Sequence, residues 1–462
     1  MVSPGKANKL IHVVGRGEAW LVDGSPKIVL IGAGSHVFGM RLVIDVLSYP
    51  ELRDCVISLM DIDPERLRFM EKLAKKIVSR YGFDTRVEAT TDRREALNDA
   101  DYVVVSIRAG GMEATRLDLE IPAKYGVNQS VGDTVGPGGV FYGLRNGFAL
   151  LEIAHDMEEV CPKAWLLNYT NPMAILSWVV NDYTDVKYVG LCHSIPNTAA
   201  TLARYIGAPF DEVSYLAAGI NHMAWFLEFK WRGRDAYPLL RERLSDPVLY
   251  TRPEEHPAGG DLVRVEVFKA LGYYVSESSR HLSEYLPYFR KRKELIAKYR
   301  VPTSAQRLEG LERAHARRDE YLRKLLEGEI PIRLERSNEF CAQIIHSMET
   351  GEPTLIYGNV KNTGLITNLP YGCIVEVPCR VDDMGIHPYY IGDLPPQCAA
   401  LNRMNINVQE LAVKAIAERS RERVFQAVMV DPLTSAILTI EEIRRMVDEM
   451  FEAEKEYLPE FE

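Results

Sequence analysis

Five short runs of this chain combine residue types that could do chemistry: Ser106-Ile107-Arg108-Ala109-Gly110-Gly111, Gly132-Asp133-Thr134, Asn168-Tyr169-Thr170-Asn171-Pro172, Cys192-His193-Ser194 and Gly219-Ile220-Asn221-His222. Cys192 and His222 offer a thiolate and a neutral imidazole, both good donors for a divalent metal. Two ligands make a thin shell that water or substrate oxygens must complete, which suits a catalytic metal with open positions. The same two residues also read as a small buried hydrophobe and a satisfied core histidine. Asn168-x-x-Asn171-Pro172 also reads as a polar turn closed by proline, and Arg108 as a surface ion-pair partner.

A sixth run, Gly32-Ala33-Gly34-Ser35, follows the apolar stretch Lys27–Ile31 and precedes a helical stretch reaching Leu47. Strand, Gly-x-Gly and helix together can hold a pyrophosphate, because glycines admit the phosphates and the helix start offers free N–H groups. The third glycine of the usual fingerprint is missing, and Val37 stands in its place. Asp61 compensates: it ends the second strand, where a carboxylate accepts hydrogen bonds from an adenosine ribose. An acid there favours NAD over its phosphorylated form, whose extra phosphate it would repel.

These runs must be positioned by a scaffold, and the pattern predicts one. Buried strands are expected at Lys27–Ile31, Val56–Met60, Tyr102–Ser106, Ala164–Asn168 and Tyr188–Leu191, alternating with helices. Asp63-Pro64-Glu65 has the form of a helix start. The alternation predicts an α/β fold with a Rossmann-like, doubly wound parallel sheet, whose strand ends carry the site. The rhythm changes near residue 195. Residues 290–330 read as one or two solvated helices, Thr354–Val360 and Cys373–Val381 as strands of a second sheet, and Asn407–Val428 as one long helix. The expected organisation is an N-terminal extension over 1–26, an NAD-binding domain over 27–195, and an α+β metal, substrate and oligomerisation domain over 196–462.

At 462 residues the chain can bury a large core, and its net charge of −10 argues against nucleic acid or an anionic membrane as partner. No apolar stretch approaches the roughly 18 residues of a membrane span. The seven cysteines show no paired zinc spacing and read as reduced thiols, so a cytoplasmic protein is expected. The residues alone thus point to an NAD enzyme for a polyhydroxylated or carboxylated small molecule, with or without a metal; an NAD-dependent hydroxy-acid dehydrogenase satisfies the same features.

Together with the tail Asn368-Leu369-Pro370, Val375-Glu376-Val377-Pro378 and Asn405-Ile406-Asn407, the runs at 32–35, 168–172, 192–194 and 219–222 resemble glycoside hydrolase family 4, the NAD- and manganese-dependent glycosidases. The resemblance covers Lys27 to Glu462. Cys192-His193-Ser194 and Gly272-Tyr273-Tyr274-Val275-Ser276-Glu277-Ser278-Ser279 look like its α-galactosidase branch. Members acting on 6-phosphosugars carry Asp or Asn after the cysteine, so His193 points away from a phosphorylated substrate.

The resemblance implies hydrolysis without the usual pair of carboxylates. NAD⁺ oxidises carbon 3 of the sugar, a base takes the proton of carbon 2, the glycosidic bond is expelled, water adds, and the hydride returns. Matched by motif, Cys192 and His222 are the metal (Mn²⁺) ligands; Gly32, Gly34, Ser35 and Asp61 hold NAD; and Arg108, Asn171 and Arg280 contact substrate. His193 stands at the proton-donor position. Asp133 is a second acid or a contact to metal-bound water. A tyrosine is the base in the phospho-β-glycosidase branch, and Glu266 falls near that position, with Tyr273 its rival. The expected protein is a homodimer or homotetramer cleaving α-galactosides. An α-galacturonidase of the same family is the nearest alternative and would need a cation facing carbon 6.

Overall fold

The computed structural model describes residues 24–36, 38–251 and 260–462. The expected extension lies outside them up to residue 23. Twelve strands form one sheet among the described residues. They are β1 (Lys27–Ile31), β2 (Val56–Met60), β3 (Arg86–Thr90), β4 (Tyr102–Val105), β5 (Trp165–Asn168), β6 (Lys187–Leu191), β7 (Val213–Ile220), β8 (Met223–Trp231), β9 (Arg234–Asp235), β10 (Thr354–Lys361), β11 (Ile374–Asp382) and β12 (Gly385–Pro388). The helices include α1 (Gly39–Leu47), α2 (Pro64–Tyr81), α3 (Gly111–Lys124), α4 (Gly136–Val160), α5 (Ser194–Ile206), α6 (Leu262–Leu271), α7 (Ser279–Tyr285), α8 (Ser304–Glu327), α9 (Pro396–Glu418), α10 (Arg421–Met429) and α11 (Ile440–Ala453).

The strands in the order β3-β2-β1-β4-β5-β6 are all parallel, and successive strands are added to one side of β1 and then, from β4, to the other, as in a doubly wound fold. Successive side chains of a strand point to opposite faces. Accordingly Ile28 and Leu30 join one apolar cluster with Val104 and Leu167, while Val29 and Ile31 join another with Val103, Val105 and Leu166. Helices cover both faces, which is why these strands read as continuous apolar runs. Asp63 caps α2 as its sequence suggests, accepting the Glu65 and Arg66 N–H groups at 2.9 and 3.1 Å.

Three details differ from the sequence pattern. The strands near 354–381 do not build a second sheet: β10 pairs antiparallel with β6, and β11, β7, β8 and β9 continue outward. An uncovered β6 would leave an open edge of backbone donors and acceptors, and β10 closes it. The helix expected over Asn407–Val428 is two helices, α9 ending at Arg419 in the left-handed region (φ 48°) and α10 capped by the Ser420 hydroxyl. The short edge strand β3, of sequence RVEAT, carries too few apolar residues to stand out.

Candidate active site

The chain leaves β1 through Gly32, whose φ is 79°. A Cβ there would fall 2.2 Å from the Ser106 carbonyl oxygen, so the loops after β1 and β4 touch and only glycine fits. Gly34 donates its N–H to Asp61 Oδ2 at 2.8 Å, and a Cβ on it would meet that same oxygen. Ser35 Oγ lies 3.1 Å from Ser106 Oγ, and α1 begins four residues further on. Gly32, Gly34, Ser35 and Asp61 therefore converge, as a dinucleotide cradle requires. The segment 290–330 is not merely solvated. Helix α8 stacks His315 on His36 with ring centres 4.1 Å apart, and its Asp319 accepts from Arg66 at 3.0 Å, walling the turn.

Farther along the sheet, Cys192 follows β6, His222 sits in the tight β7–β8 turn, and Glu277 precedes α7. Their donor atoms all lie within 4.8 Å of one another. His222 (φ 61°) and Glu277 (φ 69°) are both left-handed, a conformation that costs a non-glycine residue roughly 1–2 kcal/mol. Such strain gathers where surrounding structure holds a residue for a task. His222 Nδ1 is buried without a hydrogen-bond partner. Burial drives the His222 imidazole down to about 3, so it is neutral, the form that binds metal. Burial, then the Glu376 and Glu277 carboxylates, push the Cys192 thiol well above its ordinary value. Burial would also raise Glu277, but His281, 2.9 Å away, holds that carboxyl well below the usual range. Burial and then Glu277 lift Glu376, on β11, to about 8. The cluster is rich in potential negative charge, and its thiolate, imidazole and carboxylate donors fit a divalent transition ion.

His193 follows Cys192 and opens α5. Its Nδ1 lies 2.8 Å from Glu339 Oε1, a hydrogen bond that raises the imidazole pKa against the effect of burial. Asp133 stands just before α4, with Oδ2 3.7 Å from Arg307 and Oδ1 buried without a partner. Burial lowers the Arg307 pKa, and the nearby charges of Arg280 and Arg108 lower it further. Arg280 and Arg108 thus lie near Arg307, which faces Asp133. The Asp133 loop is held by Glu284, whose carboxylate accepts the N–H groups of Ser130, Val131 and Gly132. Arg108 donates to Thr115 at 3.0 Å. Asn168 is spent inside the protein on Thr170 and Tyr188, whereas Asn171 is half-buried and its Oδ1 accepts the Met173 N–H at 3.2 Å.

Glu266 is placed elsewhere. On α6, Arg264 is buried against Asp261 and the Glu277 carbonyl; two residues on, about 200° around the helix, Glu266 is exposed and accepts from the Tyr299 hydroxyl at 2.8 Å. Its expected role as base is corrected on that ground. Tyr273 packs by Tyr237 and lines a surface groove with Asp393 to Gln397. In their place the structure brings Tyr285, at the end of α7, beside His222 with ring centres 6.4 Å apart, and near Thr134, Asp133 and Cys192. His281 and Tyr285 stand four residues apart on α7 and so share one helical side, and Glu277, in the turn before the helix, meets His281 at 2.9 Å.

Residues 27–208 match the family described as "Family 4 glycosyl hydrolase", and residues 217–434 match "Family 4 glycosyl hydrolase C-terminal domain". The chain is 42% identical to an alpha-galactosidase of Bacillus subtilis over 441 residues, covering 94% of this chain and 99% of the relative. It is 30% identical to an alpha-galacturonidase of Lachnoclostridium phytofermentans over 461 residues, covering 94% and 97%. Its fold is similar to that of a 6-phospho-beta glucosidase from Thermotoga maritima solved with manganese, NAD⁺ and glucose 6-phosphate (TM-score 0.77, 24% identity, 94% of this chain and 100% of that one).

Proposed function

The chain belongs to family 4 of the glycosyl hydrolases, and on that footing we propose that it hydrolyses α-galactosides with NAD and a divalent metal, manganese first. The observation carrying this reading is the buried, strained Cys192–His222–Glu277 donor set on the same sheet as the Gly32–Asp61 cradle. When bound, NAD supplies a reversible hydride acceptor and the metal a Lewis acid. The chain's own residues do the rest. Cys192, His222 and Glu277 hold the metal; Gly32, Gly34, Ser35 and Asp61 hold the dinucleotide. Arg108, Asn171 and Arg280 orient the sugar. Tyr285 takes the proton from carbon 2. Burial pushes its phenol well above the ordinary value, and a cation beside it works the other way. The electron pair of that C–H bond forms the carbon 1–carbon 2 double bond as the glycosidic C–O bond breaks. The departing oxygen keeps its pair and takes the proton of His193 Nε2. Asp133 orients the water that adds back.

The test is a panel of nitrophenyl glycosides assayed with NAD⁺, Mn²⁺ and a thiol reductant. The α-galactoside should be cleaved fastest, with no net NADH, and protein stripped of NAD should be inactive until NAD⁺ is restored. Full turnover by NAD-free protein overturns the redox reading; net NADH from a hydroxy acid would favour the dehydrogenase instead. A second reading, α-galacturonidase, is favoured by the grouping of Arg307 with Arg280 and Arg108, which suits a carboxylate on the sugar. The 42% against 30% identity ranks it second, and the uronide arm of the panel decides. We further infer a reducing, cytoplasmic setting, because all seven cysteines are free and Cys192 must serve as thiolate. No described helix is long and apolar enough to cross a membrane. A homodimer or homotetramer fits the exposed Tyr371, Met384 and Tyr390 on the β11–β12 side.

A further inference from the structure

The ring of His193 has two nitrogens, and the fold assigns one of them. Nδ1 faces Glu339, which lies 146 positions away in sequence. Glu339 is 3% exposed at its side chain, and its second oxygen is buried without a hydrogen-bond partner. Its segment is pinned on both sides. The Glu339 N–H donates to Ser337 Oγ at 3.2 Å, and Ser337 donates its N–H and hydroxyl to Asp45 on α1 at 2.8 and 2.6 Å. Two residues on, the Cys341 N–H donates to the Tyr169 hydroxyl at 3.0 Å, in the loop after β5. Arg41, on α1, reaches the same Glu339 oxygen at 3.5 Å. Nothing in the elimination chemistry requires a carboxylate here. A buried acceptor opposite one ring nitrogen places the hydrogen on that nitrogen and fixes the ring plane.

We propose that Glu339 is a positioning residue for His193, accepting Nδ1–H and so fixing the ring plane that aims the proton-bearing Nε2 of the imidazolium at the departing glycosidic oxygen. This rests on the reading of His193 as proton donor. A donor matters most when the leaving oxygen is a poor leaving group, and little when a nitrophenolate departs unaided. The measurement is therefore kcat and KM for nitrophenyl, phenyl and methyl α-galactosides on the holoenzyme, for the parent, His193→Ala, Glu339→Ala and Glu339→Gln, with Mn²⁺ and NAD binding measured in parallel.

His193→Ala should lose about 100-fold or more in kcat on the methyl glycoside and far less on the nitrophenyl one. Glu339→Ala should show the same grading at roughly 10-fold or more, with KM and both affinities kept. Glu339→Gln, whose amide oxygen still accepts Nδ1–H, should restore most of the loss. If Glu339→Ala does not fold, Glu339→Asp, which keeps the charge but shortens the reach, should show the grading. Equal losses across the three leaving groups, or none, in the Glu339 variants while His193→Ala is graded would overturn the positioning role and leave the donor intact. An ungraded His193→Ala would overturn the donor reading and the positioning role together.

Discussion

Two buried charged clusters of this protein are built oppositely. In one, Arg145 on α4 bonds Asp118 on α3 with both terminal nitrogens, at 2.5 and 3.1 Å, and bonds Glu454 just beyond α11. All three side chains are at most 1% exposed, and burial raises both carboxyls, Asp118 to about 6. The guanidinium and its carboxylates close on one another, with Glu454 Oε1 the one oxygen of the three side chains left without a hydrogen-bond partner. In the other, Cys192, Glu277 and Glu376 crowd together, His222 Nδ1 lacks a hydrogen-bond partner, and two backbones are left-handed. A buried network that answers its own charges is scaffold. One left open and strained is arranged for something that arrives later.

That contrast is broken or kept by exchanging readouts. Cys192→Ala or His222→Ala should lower kcat/KM by more than about 100-fold, since even outer-shell partners of a metal cost 10–100-fold, while the melting temperature holds or rises as strain and charge crowding are relieved. Arg145→Met should do the reverse, costing about 3–5 kcal/mol by stranding two buried carboxyls, while the protein still folded binds Mn²⁺ like the parent. Urea titration and calorimetric metal binding separate the two. Equal loss of metal in Arg145→Met would mean that the closed cluster is part of the site.

A subtler effect concerns protons. Before metal binds, the Cys192 thiol lies well above its usual range, His222 is neutral, and Glu277 is already ionised. Of the three donors only the thiol has a proton to lose, so one proton should leave per ion bound near neutral pH. Affinity should then fall about tenfold for each pH unit of acidification, 1.4 kcal/mol being a factor of ten. Titration calorimetry in buffers of different ionisation enthalpy reads the proton directly; release of none would mean that Cys192 is not the thiolate ligand.

The sequence was legible where one element's own residues decide the outcome. The runs that became β1, β2, β4, β5 and β6 are apolar because both sheet faces are covered. The Gly32–Ser35 turn and Asp61 stood out because glycine and a strand-end carboxylate have local reasons to be there. What failed depended on partners far away. The edge that β10 occupies belongs to β6, and the carboxylate that meets His193 comes from residue 339. Glu277 lay inside a quoted run, yet its place among the donors needs β6, the β7–β8 turn and α7 brought together. Helix α8 looked solvated because its buried leucines, Leu308, Leu311, Leu322 and Leu325, are sparse among charged residues, and its contacts through His315 and Asp319 are polar.

The smallest expected effect is also the one that separates the two sides of the 262–285 region. Glu266 was the base expected by alignment, and it lies on the outer face of α6 with Tyr299. Tyr285 lies inward, beside His222. If a base removes the proton of carbon 2 and solvent replaces it, hydrolysis of an α-galactoside in deuterated water leaves deuterium on that carbon, seen as loss of its proton NMR signal. Direct displacement never breaks that C–H bond. Tyr285→Phe should suppress the exchange and leave Mn²⁺ and NAD binding as they are. Glu266→Gln removes one charge from a part-buried hydrogen bond, which contributes about 0.5–1.5 kcal/mol to stability, and should leave kcat and the exchange within about twofold of the parent, surface changes being near neutral. A shielded base could return the same proton, so substrate deuterated at carbon 2 should also show a primary isotope effect in the parent. Loss of exchange in Glu266→Gln with Tyr285→Phe unaffected would reverse the assignment and require α6 to turn its outer face inward, against the burial of Arg264 on Asp261.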